Sequence, residues 1–136
     1  MIEGDTLTVL DAANRQQRVR LAGIDAPEKS QPFGTKARDR MAQLAMRQMI
    51  ELEVSSTDKY GRTLATVQAG GVDVGRQLVT EGLAWHYKRF SNDRGLADAD
   101  AQARAARRGL WADRKPIPPW EWRASEQGRR PQPAGR

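Results

Sequence analysis

The chain has 136 residues, enough for one domain. Lys and Arg number 23 against 17 Asp and Glu, a net charge of +6 with the one His neutral, and 18 of the 23 cations are Arg. With no Cys and a single His, disulfides, thiolate metal sites, a Cys nucleophile and a His-rich zinc site are excluded. No apolar run approaches the roughly 20 residues of a membrane span, and no stretch reads as a signal peptide. What is left is a small basic protein whose chemistry rests on carboxylates, backbone and arginines. Arginines favour planar, bidentate contacts with phosphate or carboxylate.

In chain order, Met1-Ile2 passes into a turn at Glu3-Gly4-Asp5, so the first strand is expected to lack its leading half. Thr6–Leu10 is β-branched and apolar and reads as a strand, and Asp11–Gln16 as a turn. Arg18–Ala22 alternates, with Val19 and Leu21 on one face and Arg18 and Arg20 on the other. Thr35–Gln48 places Ala37, Met41, Leu44 and Ala45 at helical spacing. Ile50–Val54 alternates with Ile50, Leu52 and Val54 inward, and Thr63–Ala69 and Leu83–Tyr87 complete five strands. Helices are expected at Val74–Glu81, stopped by Gly82, and at Leu96–Arg108, stopped by Gly109. Ala124–Arg136 holds no apolar residue larger than Ala or Pro. It cannot repay its ordering entropy and is expected to be a disordered basic tail behind a folded unit of residues 1–123. Five strands with three inserted helices predict a mainly β fold, a small OB-fold barrel.

Three polar clusters fall at strand ends: Glu3-Gly4-Asp5-Thr6, Arg20 through Glu28, and Asp58-Lys59-Tyr60-Gly61-Arg62. Asp5 and Asp25 are single carboxylates there, and Glu28 follows a Pro-fixed turn at Pro27. Two acidic ligands, a further carboxylate and the Arg20 and Arg62 guanidinium groups suit cation-assisted attack on a phosphodiester. Each residue singly has a plainer reading. Asp5 and Asp25 read equally as turn carboxylates, Arg20 as a solvated strand residue, Glu28 as a helix-entry acid, and Asp58–Arg62 as a good turn. His86 reads as a surface or half-buried strand residue. Trp111, Trp120 and Trp122 read as packing anchors, and Arg104, Arg107 and Arg108 as a solvated helix face.

Together the motifs resemble the staphylococcal nuclease (thermonuclease) family: Glu3-Gly4-Asp5-Thr6 in the place of its Asp-Gly-Asp-Thr, Arg-Leu…Ile-Asp-Ala-Pro-Glu, Asp-Lys-Tyr-Gly-Arg, then Gly82-Leu83-Ala84 and Gly109-Leu110-Trp111. The ending Pro118-Pro119-Trp120-Glu121-Trp122-Arg123 is similar to that of bacterial members. The resemblance runs over residues 2–123. It implies calcium ligated by the side chains of Asp5 and Asp25 and the backbone carbonyl of Ala26. It further implies Glu28 as general base, Arg20 and Arg62 on the phosphate, and Tyr60 and Tyr87 beside the substrate. With so few protein carboxylates, calcium affinity is expected near the weak end of calcium sites, about 10⁻⁴–10⁻³ M. The implied activity is low-specificity hydrolysis of DNA and RNA at the 5′ P–O bond, leaving 3′-phosphates, with single-stranded or frayed substrates preferred and the enzyme a monomer.

Two positions depart from the family pattern. Glu3 stands for the first Asp of Asp-Gly-Asp-Thr, which bears on cation affinity. Gly75 stands for a buried Asn, which bears on stability. A catalytically silent OB module that binds nucleic acid or a protein ligand is the alternative, disfavoured by retention of Asp5, Arg20, Asp25, Glu28 and Arg62. Family members are commonly secreted, periplasmic or membrane-tethered, and the sequence leaves localisation open.

Overall fold

The computed structural model describes residues 2–3 and 5–129. The strands are β1 (Ile2–Glu3), β2 (Thr6–Leu10), β3 (Gln16–Leu21), β4 (Ile24–Asp25), β5 (Ile50–Thr57), β6 (Thr63–Ala69), β7 (Val72–Asp73) and β8 (Trp85–His86). The helices are α1 (Gly34–Ala45), α2 (Val74–Thr80), α3 (Arg94–Ala105) and α4 (Pro119–Arg129), with a 3₁₀ turn at Gly109–Ala112 before α4. The main sheet runs β1-β2-β3-β6-β5, with β7 on β6, and β4 pairs with β8 in a separate two-stranded piece. All neighbours are antiparallel except β3 and β6, which run parallel with Val19 opposite Thr63. This curled mixed sheet with helices against it is the mainly β, OB-type architecture expected.

Local chemistry sets the hairpins. Between β2 and β3, the Asp11 carboxylate accepts the N–H groups of Ala13 and Arg15 at 2.8 and 3.0 Å, while Asn14 takes φ 59°. An Asx-type turn of this kind lets the strand resume at Gln16, two residues before the expected start. Asp73 and Asp93 cap α2 and α3 by accepting from Arg76 N and Leu96 N. The Asp93 cap is why α3 begins at Arg94 and not at Leu96.

The core lies between sheet and helices. Val19, Leu21, Ile24, Val67 and Ala65 from the strands meet Met41 of α1, Leu78 and Val79 of α2, and Leu96 and Ala99 of α3. A second cluster gathers Trp85, Ala103, Leu110 and Trp111, with Phe33 and Trp120 packed on it. Gly82 and Gly109 join the two regions. A Cβ on Gly82 would stand 2.2 Å from the Arg108 carbonyl oxygen, and one on Gly109 2.5 Å from that of Gly82. Both residues have positive φ, and Leu110 N donates to Gly82 O at 2.9 Å. Only glycine lets these backbones meet.

Several expectations are corrected. There are four α-helices, not three, because Pro119 at the first helical position starts α4. That helix runs to Arg129, inside the stretch expected to be a disordered tail; residues 130–136 lie outside the described residues. Val54 is 58% exposed, not inward. The β5–β6 register shifts between Val54 and Ser56, and such an irregularity breaks the alternation. Strand β8 is confined to Trp85–His86, and His86 is buried. Arg104 does not merely face solvent: it lies 4.1 Å over the Trp111 ring and 2.7 Å from the buried Asp100. The Glu3 carboxylate lies outside what is described.

Gly75 sits in α2 without positive φ. A Cβ there would meet Ile24 at 3.7 Å, an ordinary contact. Gly75→Ala is therefore expected to raise unfolding free energy by about 0.5–1 kcal/mol, read from urea or thermal melts.

Candidate active site

Beside β2, β3 and β6 lies a cleft of about 1330 Å³. Asp5, Arg20, Ala26, Glu28, Tyr60, Arg62 and Tyr87 all line it, with Arg123 from α4. Asp25 is buried behind it. All the residues singled out by the motifs are thus brought to one place. Cations outnumber carboxylates along the lining, since Arg18, Lys29, Arg38 and Lys59 join the three site arginines. Such a lining attracts a polyanion.

Arg20 is the last residue but one of β3, where it pairs in register with Thr6 and Leu64. Its side chain is 15% exposed, so it is no solvated strand residue. It bridges to Asp5 at 3.0 Å, donates to the Leu21 carbonyl at 2.9 Å, and lies 3.9 Å from Asp25. Arg62 is aimed by the β5–β6 turn. Asp58 accepts the N–H groups of Tyr60 and Arg62 through one oxygen, both at 2.9 Å, and the Arg62 Nε at 2.8 Å through the other. Despite the burial that opposes it, these bonds hold the Asp58 carboxyl below its ordinary value. Arg62 Nη1 then donates to Thr6 Oγ1 at 3.1 Å, across the sheet. Gly61 takes φ 78°, which this tight turn requires.

Glu28 follows the buried Pro27 in a loop closed by backbone bonds, Gln31 N to Glu28 O and Gly34 N to Gln31 O. Gln31 is buried; its Oε1 accepts the Glu28 N–H and its Nε2 donates to the Ile117 carbonyl. A Cβ on Gly34 would fall 2.0 Å from the Glu28 carbonyl oxygen, so α1 starts hard against this loop. The Glu28 carboxylate meets Arg123, whose Nη1 donates to Oε1 at 2.7 Å. The same guanidinium takes both oxygens of Asp25, at 2.7 and 3.3 Å. These bonds, that to Asp25 foremost, raise the already high pKa of Arg123 further. The motif reading assigned Arg123 no role. Its signal was an arginine three residues beyond Trp120, on the same helix face.

Aromatic groups frame the cleft. Tyr60 is 62% exposed, with the Lys59 and Arg62 cations 5.2 and 5.6 Å from its ring. Tyr87 is half-buried and stacks on Trp120, centroids 5.1 Å apart and planes at 8°. His86 does not line the cleft, but its Nε2 lies 3.0 Å from the Oγ of Ser91, which does.

Asp5 and Asp25 also suit a hard cation. Burial, the largest influence, lifts the Asp5 carboxyl from 3.8 to about 7. Arg20 pulls against this, the charge and hydrogen bond of Asp25 push the same way as burial, and Arg62 pulls weakly. Two buried, adjoining carboxylates are oxygen donors suited to a hard divalent ion, with Arg20 on Asp5 and Arg123 on Asp25 already paired to them. Among the described residues no three His, Cys, Asp or Glu side chains group as a metal site, so a cation on this pair would take its other ligands from carbonyls and water. Because the folded pKa of Asp5 lies above its unfolded value, the folded state binds this proton more tightly. The associated stability is present at acid pH and is lost as pH rises through about 7. Without divalent ions, thermal stability is expected to fall between about pH 4 and pH 7, and Asp5→Asn is expected to flatten that slope in calorimetric melts.

The chain matches the family described as Staphylococcal nuclease homologue over residues 18–113. It is 42% identical over 125 residues to a protein named as an uncharacterized endonuclease from Haemophilus influenzae, covering 92% of this chain and 70% of that one. It is 40% identical over 139 residues to a micrococcal nuclease of Shigella flexneri, covering 93% and 79%. Against a staphylococcal-like nuclease of Arabidopsis thaliana it is 37% identical over 111 residues, covering 82% of this chain but 34% of the plant protein. Among the described residues no helix is long and apolar enough to cross a membrane. By fold, motif order and these likenesses, the chain belongs to the staphylococcal nuclease family and is a nuclease.

Proposed function

We propose that this nuclease hydrolyses DNA and RNA phosphodiesters with calcium and little sequence preference, cleaving the 5′ P–O bond to leave 3′-phosphates. The observation that carries the reading is the convergence of Asp5, Arg20, Asp25, Glu28 and Arg62 on one cation-rich cleft. Asp5, Asp25 and the carbonyl of Ala26 would hold calcium, which supplies positive charge to a phosphate oxygen and lowers the pKa of bound water.

The chain's own residues do the rest. Glu28 accepts a proton from the attacking water; among the described residues its Oε2 has no hydrogen-bond partner, whereas Oε1 is taken by Arg123. Arg20 and Arg62 are already fixed by Asp5, Leu21, Asp58 and Thr6. Their remaining N–H groups meet the non-bridging oxygens as charge builds there, without reorganising. The water oxygen forms its bond to phosphorus opposite the 5′ oxygen, whose bond to phosphorus breaks and which takes a proton from solvent as it leaves. The exposed Tyr60 offers its ring to a flanking nucleotide, a contact that tolerates any base, and Tyr87, one face of which Trp120 covers, lies beside the substrate. An unpaired strand presents a phosphodiester to such a cleft more readily than a stiff duplex, so single-stranded and frayed substrates are preferred.

The silent binding module makes a different forecast. Plasmid and RNA are expected to be cut with calcium and spared with excess chelator. Glu28→Gln is expected to lower turnover by about 10²–10⁴-fold while gel-shift affinity for single-stranded DNA is kept. Binding without calcium-dependent cutting by the folded wild type would favour the module.

A further inference from the structure

Segment 28–31 and the stretch leading through α4 are fastened at three successive points. Gln31 Nε2 donates to the Ile117 carbonyl, Trp122 Nε1 donates to Ser30 Oγ at 3.3 Å, and Arg123 Nη1 donates to Glu28 Oε1 at 2.7 Å. The helix that brings these partners is itself anchored by Trp120. That ring packs edge-on against Trp85 at 5.4 Å and face-on against Tyr87 at 5.1 Å. Arg123 follows three residues later, so the anchoring that seats Trp120 also aims the guanidinium at the acids.

From this geometry we infer that Arg123 is a positioning residue of the nuclease, which sets the direction of the Glu28 carboxylate by tying it to the immobile Asp25. Three observations carry the assignment. Asp25 is buried and held in β4, so it is a fixed reference, whereas the Glu28 side chain is 37% exposed and has three rotatable bonds to restrain. The guanidinium spans the two acids with a planar fork, two N–H groups on Asp25 and one on Glu28, a geometry an ammonium cannot reproduce. The contact leaves one Glu28 oxygen free of protein partners among the described residues, the arrangement a proton acceptor needs. Restraining the acid before substrate arrives removes a reorientation from the step in which it acts. The inference rests on the reading of Glu28 as the base, and the C-terminal helix becomes part of the active site.

The test is a double-mutant cycle on the full chain with single-stranded DNA under saturating calcium. Arg123→Ala is expected to lower kcat by about 10–100-fold, as loss of a partner that orients a reacting group typically does, with KM nearly unchanged. Added guanidinium ion is expected to restore part of the loss, and Arg123→Lys to remain impaired. In the Glu28→Gln background, Arg123→Ala is expected to cost almost nothing further, because the group it orients is gone. Calorimetric titration of calcium, run alongside, is expected to give Arg123→Ala a similar affinity to wild type.

Several results would overturn the assignment. An unchanged kcat, or a loss confined to KM, would make Arg123 dispensable or a phosphate binder. A rise in both activity and calcium affinity would make it a plug over the acids. An undiminished cost in the Glu28→Gln background would leave it a structural or Asp25-directed role. If Arg123→Ala melts out, Arg123→Gln, which keeps one donor and the side-chain length, carries the same comparison. A fully active Glu28→Gln would instead sink the reading of Glu28 itself, whatever Arg123 does.

Discussion

Like charges held close together govern this molecule. Asp5 comes from the turn before β2, Asp25 from β4 and Glu28 from the loop that follows β4, and bare carboxylates gathered in one place repel one another or take up protons. Arg20 lies between Asp5 and Asp25, and Arg123 between Asp25 and Glu28, so each neighbouring pair of acids shares a guanidinium. Burial, with the charge of Asp25 adding to it, still raises the Asp5 carboxyl against the pull of Arg20. The Asp5 carboxyl therefore holds a proton more readily than a solvated one does.

The scaffold's task is to keep these groups from relaxing apart. Each guanidinium is fastened on its far side: Arg62 by Asp58 and Thr6, Arg20 by the Leu21 carbonyl, Arg123 by a helix seated on tryptophans. Gly34 sets the start of α1 against the Glu28 backbone, and the Gly82–Gly109 contact brings the 3₁₀ turn against the end of α2. Packing at some distance from the cleft is thereby converted into direction at the reacting groups, which is how a small domain holds a precise site on short loops.

Much of this was legible in the sequence because it is local. Thr6–Leu10 and Thr63–Ala69 carry their strand signal in β-branched residues, and the structure has them with those bounds. Asp-Lys-Tyr-Gly-Arg spells its own turn. Asp5, Arg20, Asp25, Glu28 and Arg62 were legible as a group through motif order, since no periodicity unites residues in different elements. The fourth helix was hidden because Ala124–Arg129 is polar, and its place is set by Trp120 docking on Trp85 and Tyr87, a tertiary contact that composition does not carry. Arg123 was hidden for the same reason. Its partners lie more than ninety positions away in sequence, and an arginine near a chain's polar end looks like any solvated cation. Val54 failed because alternation assumes an unbroken ladder, and the shift beside Ser56 breaks it.

The parallel pairing of β3 with β6 has a kinetic consequence. Hairpins β2–β3 and β5–β6 close over short loops, but Val19 meets Thr63, and Arg20 meets Leu64, only after more than forty intervening residues have been gathered in. Non-local, parallel contacts of this kind are the slow part of folding, because loop entropy is lost before they form. The approach of Arg20 and Arg62 to one cleft is therefore acquired late, once the chain has committed to its native topology. A newly made molecule carries the motifs of a nuclease well before it has the means to cut the nucleic acid around it.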